Sequence, residues 1–356
     1  MTSPRYFPHH YLVRFLLLIF ALQALTACGE KDKTYHAQLV SLGTLIDISI
    51  WNIKKDKADT VIHEIENRLN AVHQKWHAWN PGRLVEINKH LANGETVNLT
   101  TVEYEHLVLA RDLAIASDHL FNPAIGKLIT LWGFHSDDPP APPPPAVREI
   151  RKLVAEAPNM QQLHFDALSL SSSNSEIELD LGGFAKGYAV DQAISILKNH
   201  GINNAIINAG GDLRAIGTHG NRPWRIGIRH PDGQGVIASI TTNGDESVFT
   251  SGNYERYYDY QGERFHHIID PRTGFPAKGT RSVTVIHSDG ATADAAATAL
   301  FVAGPDQWQK IARQMHISRV MLIDEHMNIH MTPEMAERIH FEQNIEKEII
   351  ITPVES

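Results

Sequence analysis

Asp180-Leu181-Gly182-Gly183-Phe184-Ala185-Lys186-Gly187-Tyr188-Ala189-Val190-Asp191 is the stretch to which the other motifs of the chain refer. An acidic residue closes a β-rich run through Ile177 and Leu179, two glycines follow, and a helical pattern covers residues 186–200. Glycines at a helix start let the backbone approach a ligand closely, and the first N–H groups of a helix are unpaired. A carboxylate at the end of a strand supplies a hydrogen-bond acceptor or a metal ligand. The glycine spacing matches neither the phosphate loop G-x-x-x-x-G-K-[ST] nor the dinucleotide pattern G-x-G-x-x-G. Alone, the stretch suits a plain strand-to-helix turn equally well.

Around it the pattern is mixed. Residues 45–50 alternate, with Ile46, Ile48 and Ile50 on one side, as in a half-buried strand. Residues 58–76 place Val61, Ile62, Ile65, Leu69, Val72 and Trp76 at helical spacing. Trp79-Asn80-Pro81-Gly82 reads as a turn, and Thr100-Thr101-Val102-Glu103 as a capping box opening a helix to residue 117. A turn with an exposed-looking aromatic, Phe121, follows in residues 117–126, and a proline-rich surface excursion occupies 137–145. Strands are expected at 205–208, 224–228, 236–242, 247–252 and 281–287, with a hairpin about Gln261-Gly262 joining 257–260 to 264–269. Residues 292–302 read as an Ala-rich helix, a second helix begins near Pro305, and a hairpin of 319–323 with 328–331 closes the fold. No regular βαβ repeat appears, so the fold class is α+β.

With 356 residues, 42% of them hydrophobic and 21% charged, the chain has the composition of a globular protein. A formal charge of −9 and the lack of any Lys/Arg run argue against a nucleic-acid partner. Residues 1–27 read as a signal peptide: Arg5 and Arg14 precede an apolar run too short to span a bilayer, and Leu25-Thr26-Ala27-Cys28 resembles a bacterial lipobox. Cleavage before Cys28 and acylation of its thiol would tie a body of residues 38–345 to a membrane through a tether of residues 28–37. The expected location is the periplasmic side, with Gly29 favouring the outer membrane, and residues 346–356 are expected as a tail. Cys28 is the only cysteine, so neither an intrachain disulfide nor thiol catalysis by the body is available.

Two further motifs carry chemistry. His266-His267-Ile268-Ile269-Asp270-Pro271-Arg272-Thr273-Gly274 is a strand entering a sharp turn, with the two histidines on opposite faces. A histidine there can move a proton near neutral pH or serve only in packing. Asp294 and Thr298 lie at i and i+4 among small residues, so one helix face carries a carboxylate and a hydroxyl, suited to a hard cation such as Mg²⁺. An N-terminal helix acid beside a packed threonine would look the same. No Cys cluster or paired-His spacing suits zinc, despite 21 histidines.

Five stretches, occurring in the family's order, resemble the ApbE-type flavin transferases: residues 180–188, Asn208-Ala209-Gly210-Gly211-Asp212, Thr250-Ser251-Gly252-Asn253-Tyr254, residues 267–274, and Ala293-Asp294 through Thr298. The resemblance runs from Gly43 to near residue 330. It implies a single large mixed domain, related to the T-fold, with FAD:protein FMN transferase activity. Such enzymes bind FAD and Mg²⁺, join FMN by a phosphoester bond to a Thr or Ser hydroxyl of a target protein, and release AMP. Carried over motif by motif, the metal site comprises Asp294, Thr298 and the backbone of Gly183 and Ala297. FAD contacts fall on Leu42, Trp79, Leu120, Phe121, Asn122, Asp180, Lys186 and Ile268, with the Trp79 ring available for stacking. His267 is implied as the base for the acceptor hydroxyl, with Asp270 as its neighbour.

The chain departs from the family at Asn122, where aspartate is usual, and at Leu42, where methionine is common. Implied acceptors are subunits of Nqr- or Rnf-type electron-transport complexes or other flavinylated proteins. Two other activities remain open on this reading: an FAD pyrophosphatase releasing FMN and AMP to water, and a lipoprotein that binds FAD without chemistry.

Overall fold

Mostly antiparallel pairing builds a nine-stranded sheet, and long helices cover one of its faces. The computed structural model describes residues 34–136, 143–233, 235–342 and 348–354. The signal peptide, Cys28, the tether up to residue 33 and residues 137–142 of the proline-rich excursion lie outside the described residues. The tether and tail expectations change where they can be followed. Thr34 to Ala37 already belong to the first strand, β1 (Thr34–Ser41), and the expected tail contributes the last, β17 (Ile349–Ile351). Apart from Met1–Thr34, the chain forms one compact unit, Tyr35–Ser356.

After β1 come β2 (Thr44–Trp51), α1 (Lys55–Trp76), α2 (Arg83–Ala92), β3 (Val97–Asn98) and α3 (Thr101–Ala116). Two short helices, α4 (Gly126–Leu131) and α5 (Val147–Ala155), and the hairpin β4 (Leu163–Asp166) and β5 (Ser169–Ser172) lead to α6 (Gly182–Asn199). The strands β6 (Ala205–Ala209), β7 (Asp212–Ile216), β8 (Arg225–Arg229), β9 (Val236–Thr241), β10 (Glu246–Gly252), β11 (Tyr257–Tyr260), β12 (Glu263–His266) and β13 (Thr280–His287) follow. The chain ends with α7 (Gly290–Gln314), β14 (Val320–Asp324), β15 (Ile329–Met331), α8 (Pro333–Ala336), β16 (Ile339–Phe341) and β17.

The large sheet has the order β1-β2-β6-β7-β10-β13-β14-β15-β17. Its central strands are buried on both faces, and period-2 alternation sorts their side chains into two cores. Phe249, Val283, Val285, Val320 and Leu322 join the larger core with α1, α6 and α7. Their neighbours Val248, Ile286, Met321 and Ile323 face a second core closed by β8, β9 and Ile339 of β16. Helix α1 buries Ala58, Val61, Ile62, Ile65, Leu69, Val72 and Trp76, the expected stripe. Helix α3 opens on the expected capping box, with Thr100 and Glu103 satisfying each other's backbone N–H groups. A non-helical Gly304 (φ 69°) divides α7 just before Pro305, where a second helix was expected.

The motif of residues 180–191 differs from expectation at both ends. The run through Ile177 and Leu179 joins no sheet; it bonds to residues 123–126 about a parallel bridge between Glu178 and Ile125. Helix α6 starts at Gly182 rather than Lys186, because Asp180 Oδ1 accepts from the Gly182 N–H at 2.6 Å and steadies the first turn. Strand β12 ends at His266, so His267 stands at the start of the turn rather than inside the strand.

Candidate active site

Helices α6 and α7 meet at two glycines. A Cβ placed on Gly187 would fall 2.1 Å from the Gly290 carbonyl oxygen, so only glycine permits this approach. The contact places the Gly187 N–H 2.9 Å from Asp294 Oδ2, which accepts its hydrogen bond. Asp191, one turn further along α6, accepts from the N–H groups of Gly290 and Ala291 at 2.8 and 3.0 Å and anchors the start of α7. Burial, and then the charge of Asp289, push the Asp191 carboxyl up to about 6 against the pull of Arg214.

One turn beyond Asp294, Thr298 turns its hydroxyl toward Gly183. A Cβ on Gly183 would lie 3.3 Å from Thr298 Oγ1 and 3.4 Å from the Phe121 ring, and the bare glycine leaves that cradle open. Ser251 at the end of β10 approaches Thr298 Oγ1 with its own hydroxyl at 3.4 Å. Burial, reinforced by the charge of Asp212, holds the Asp294 carboxyl well above the usual carboxylate range despite the nearby Lys186. Bringing a dication to this carboxylate would relieve that penalty. Among the described residues no group of three or more His, Cys, Asp or Glu side chains could hold a metal. A cation here would therefore draw on the Thr298 hydroxyl and backbone oxygen at Gly183 beside Asp294, an oxygen set that fits Mg²⁺. Ala297 is fully buried in the same turn of α7.

Lys186 projects from α6 into an ion pair with Asp212, which itself accepts the Thr250 N–H at 2.9 Å. Burial alone would lower the lysine, but Asp212 and Asp294 outweigh it and raise its affinity for the proton, so the ammonium stays charged. On the other side of the α6 start, Asp180 Oδ2 lies 2.7 Å from His135 Nε2. Burial would raise the Asp180 carboxyl, yet the hydrogen bond and charge of His135 hold it below its ordinary value. The His135 ring stacks on Trp79 at 5.1 Å, and the Arg256 guanidinium lies 5.9 Å from the Trp79 ring centre. A half-buried tryptophan, a carboxylate and a guanidinium thus line one wall of the site.

His267 joins this wall through the chain of Arg256. Its N–H donates to the Arg256 carbonyl at 3.0 Å, and its ring Nδ1 lies 3.2 Å from the same oxygen. A carbonyl only accepts, so Nδ1 carries the proton and Nε2 keeps its lone pair. Burial first, then His266, Arg256 and Lys186, push the His267 imidazole down to about 3, so the ring is neutral at working pH. Asp270 does not hydrogen-bond His267. Its carboxylate takes a two-pronged bond from Arg272, at 2.9 Å to each oxygen, and Gly274 N–H donates to its carbonyl at 2.8 Å, which fixes the turn.

The family model for ApbE matches residues 42–322. The chain belongs to the ApbE family. A relative named FAD:protein FMN transferase, from Rhodobacter capsulatus, is 40% identical over 328 residues, 91% of this chain but 61% of that protein. The chain thus spans less than two thirds of that relative's length. A relative of the same name from Klebsiella pneumoniae is 34% identical over 294 residues, 80% of this chain and 87% of its own. Among solved structures, the ApbE protein of Thermotoga maritima matches with TM-score 0.78 and 33% identity over 87% of this chain and 100% of that one. The flavin transferase ApbE of Vibrio cholerae matches with TM-score 0.75 and 27% identity over 86% and 99%.

For this ApbE-family chain, the residues expected at the site divide by location. Gly183, Lys186, Asp294, Thr298 and Phe121 meet at the α6–α7 junction, and Asp180 and Trp79 meet through His135. Leu120 and Phe121 are buried, and Ile268 is buried with its carbonyl accepting the Ala277 N–H at 2.9 Å. Leu42 sits with Gly43 in the β1–β2 turn at φ 56° and packs on the larger core. Asn122 makes bonds that use both ends of its amide. Its amide donates to the Pro158 carbonyl at 2.8 Å while its oxygen accepts the Ala124 N–H, and aspartate could not make the first bond. His135, Arg256 and Asp212 were not singled out by side-chain role, because only tertiary contact gives them one.

Proposed function

We propose that the chain is an Mg²⁺-dependent FAD:protein FMN transferase that joins FMN to a Thr or Ser hydroxyl of a target protein and releases AMP. The observation that carries this reading is the convergence of Gly183, Asp294 and Thr298 beside a charged Lys186 and a neutral His267. Bound Mg²⁺ would supply charge neutralisation for pyrophosphate oxygens, the dominant demand of phosphoryl transfer. Lys186, kept protonated by Asp212, faces the same negative charge. The Trp79 ring, set by His135 and Asp180, offers a plane for an aromatic ring of FAD. His267 Nε2 accepts the proton of the acceptor hydroxyl as its oxygen bonds to the FMN phosphorus and the phosphoanhydride bond to AMP breaks. Asp270, clamped by Arg272, holds the turn that presents His267.

Acylation of Cys28 would hold this body on the periplasmic face of a membrane, the outer one being favoured by Gly29. The acceptors would be membrane electron-transport subunits of the Nqr or Rnf type. Metabolic labelling with a fatty acid, compared between the wild type and Cys28→Ser, tests the anchor.

The activity is tested by incubating the protein with FAD, Mg²⁺ and a candidate acceptor domain, then reading flavin fluorescence on the acceptor in a denaturing gel. Labelling that disappears in Asp294→Ala supports the reading, and labelling unchanged in that variant refutes the metal site. AMP release without labelling identifies a pyrophosphatase, whereas intact FAD leaves a flavin carrier.

A further inference from the structure

Arg256, just before β11, bonds in two directions. Its carbonyl holds His267, accepting the backbone N–H at 3.0 Å and facing ring Nδ1 at 3.2 Å. Its guanidinium reaches away from that contact. One terminal nitrogen, Nη2, donates to the Phe134 carbonyl at 2.8 Å and to the Ser136 carbonyl at 2.9 Å. Nη2 carries two protons, so a single planar group holds the chain on both sides of His135.

Residues 134–136 lie in no helix or strand, and the Phe134 N–H bonds back to the Ile129 carbonyl at 3.1 Å. The position of the segment beyond that point therefore depends on bonds such as those from Arg256. Hydrogen bonds from a charged donor are roughly twice as strong as neutral ones. The segment meets the site at two points. Phe134 is buried and sets its ring edge-on to His267, with 6.3 Å between centres and 68° between planes, while Tyr258 of β11 packs on it at 6.3 Å. His135 turns Nε2 to Asp180 and Nδ1 to the Thr130 hydroxyl at 2.6 Å, and its ring stacks on Trp79. Arg256 thus meets His267 twice, directly through its carbonyl and indirectly through Phe134. The carbonyl fixes the tautomer of the imidazole, and the phenyl ring limits its tilt.

We propose that Arg256 is a positioning residue for FMN transfer: by gripping residues 134–136 it seats Phe134 against His267 and keeps Nε2 fixed in direction with its lone pair free. The proposal rests on the transferase reading for the task of His267. It gives the guanidinium a role exerted through the base rather than through FAD.

The test uses the full chain with FAD, Mg²⁺ and the candidate acceptor domain, and compares the wild type with Arg256→Met, which removes both bonds at similar side-chain length. Single-turnover labelling at saturating FAD should slow at least tenfold in the otherwise wild-type protein and less than twofold in His267→Ala, where nothing is left to position. Arg256→Lys, which keeps a positive donor, should slow at least threefold less than Arg256→Met. With isotopically labelled histidine read by NMR, the His267 ring, assigned by its loss in His267→Gln, should show the Nδ1-protonated form in the wild type and a mixture of tautomers in Arg256→Met. An equal loss in both backgrounds, an unchanged rate, no recovery with lysine, an unmoved His267 spectrum, or FAD affinity lost as steeply as the rate would each overturn the proposal. If the wild type labels no acceptor, the transferase reading falls, and the His267 spectrum alone then decides whether Arg256 positions the ring.

Discussion

His267 shows how the neighbours of a single ring fix its tautomer and charge. The Arg256 carbonyl accepts a hydrogen bond from Nδ1–H, burial and adjacent cations keep the ring neutral, and Nε2 is left with its lone pair. Replacing it with alanine should lower FMN transfer by about 10²–10⁴-fold while FAD affinity is retained. Single-turnover labelling and flavin quenching measure the two separately, and loss of FAD binding would make the ring a ligand contact. The i, i+4 spacing of Asp294 and Thr298 was enough to put a carboxylate and a hydroxyl on one face of α7, but it fitted an N-terminal acid beside a packed threonine equally well. The partners of Asp180 and Lys186 were not legible. His135 and Asp212 stand far from them in sequence, and no local pattern links a histidine at the end of α4 to a carboxylate before α6.

At the scale of elements, the glycines of α6 act through distance rather than flexibility. Gly187→Ala must drive a methyl group into the Gly290 carbonyl, displacing α7 and with it Asp294. A destabilisation of about 1–3 kcal/mol or more is expected, together with loss of Mg²⁺-dependent transfer. Chemical denaturation and the labelling assay check it, and an unaltered melting profile would refute the close contact. The capping box of α3 has a different dependence. Burial alone would raise the Glu103 carboxyl, but Lys75, the Thr100 N–H and Arg83 outweigh it and hold it down to about 2. A carboxylate lowered on folding stabilises above its unfolded pKa, and the contribution is lost as pH falls through the folded value. Glu103→Gln should therefore cost about 1–2 kcal/mol at neutral pH, after solvent screening, and close to nothing near pH 2. Denaturant midpoints of both proteins across that range test the sign. The capping box could be read directly, whereas the true start of α6 could not. Gly182 and Gly183 are poor helix formers, and the Leu181 carbonyl, accepting from the Phe184 and Ala185 N–H groups, with the Asp180 side chain on the Gly182 N–H, makes them a first turn.

For the whole molecule, the sheet joins parts of the chain that no local signal connects. The β11–β12 hairpin was legible because Gln261 and Gly262 both take positive φ, 52° and 82°, as a tight hairpin turn requires. Strand β17 was not, since its pairing with β15 is parallel and its isoleucines resemble a loose end. In the fold it covers the outer edge of β15: Ile329 N–H donates to the Glu348 carbonyl at 2.8 Å and Thr352 N–H to the Met331 carbonyl at 2.9 Å. Val354 then packs on the larger core. Removing residues 346–356 exposes the backbone of β15 as a sheet edge open to pairing with another chain. Lost hydrogen bonds and apolar contact should cost about 1–3 kcal/mol, seen as a melting temperature lower by a few degrees. Light scattering on heating should show earlier aggregation than the full chain. FMN transfer below the transition should be unaffected, because β17 closes the sheet beyond β13, β14 and β15, away from the β10 end that meets Thr298. A truncated protein with lost transfer but unchanged melting would show instead that this strand acts on the site and not on the sheet.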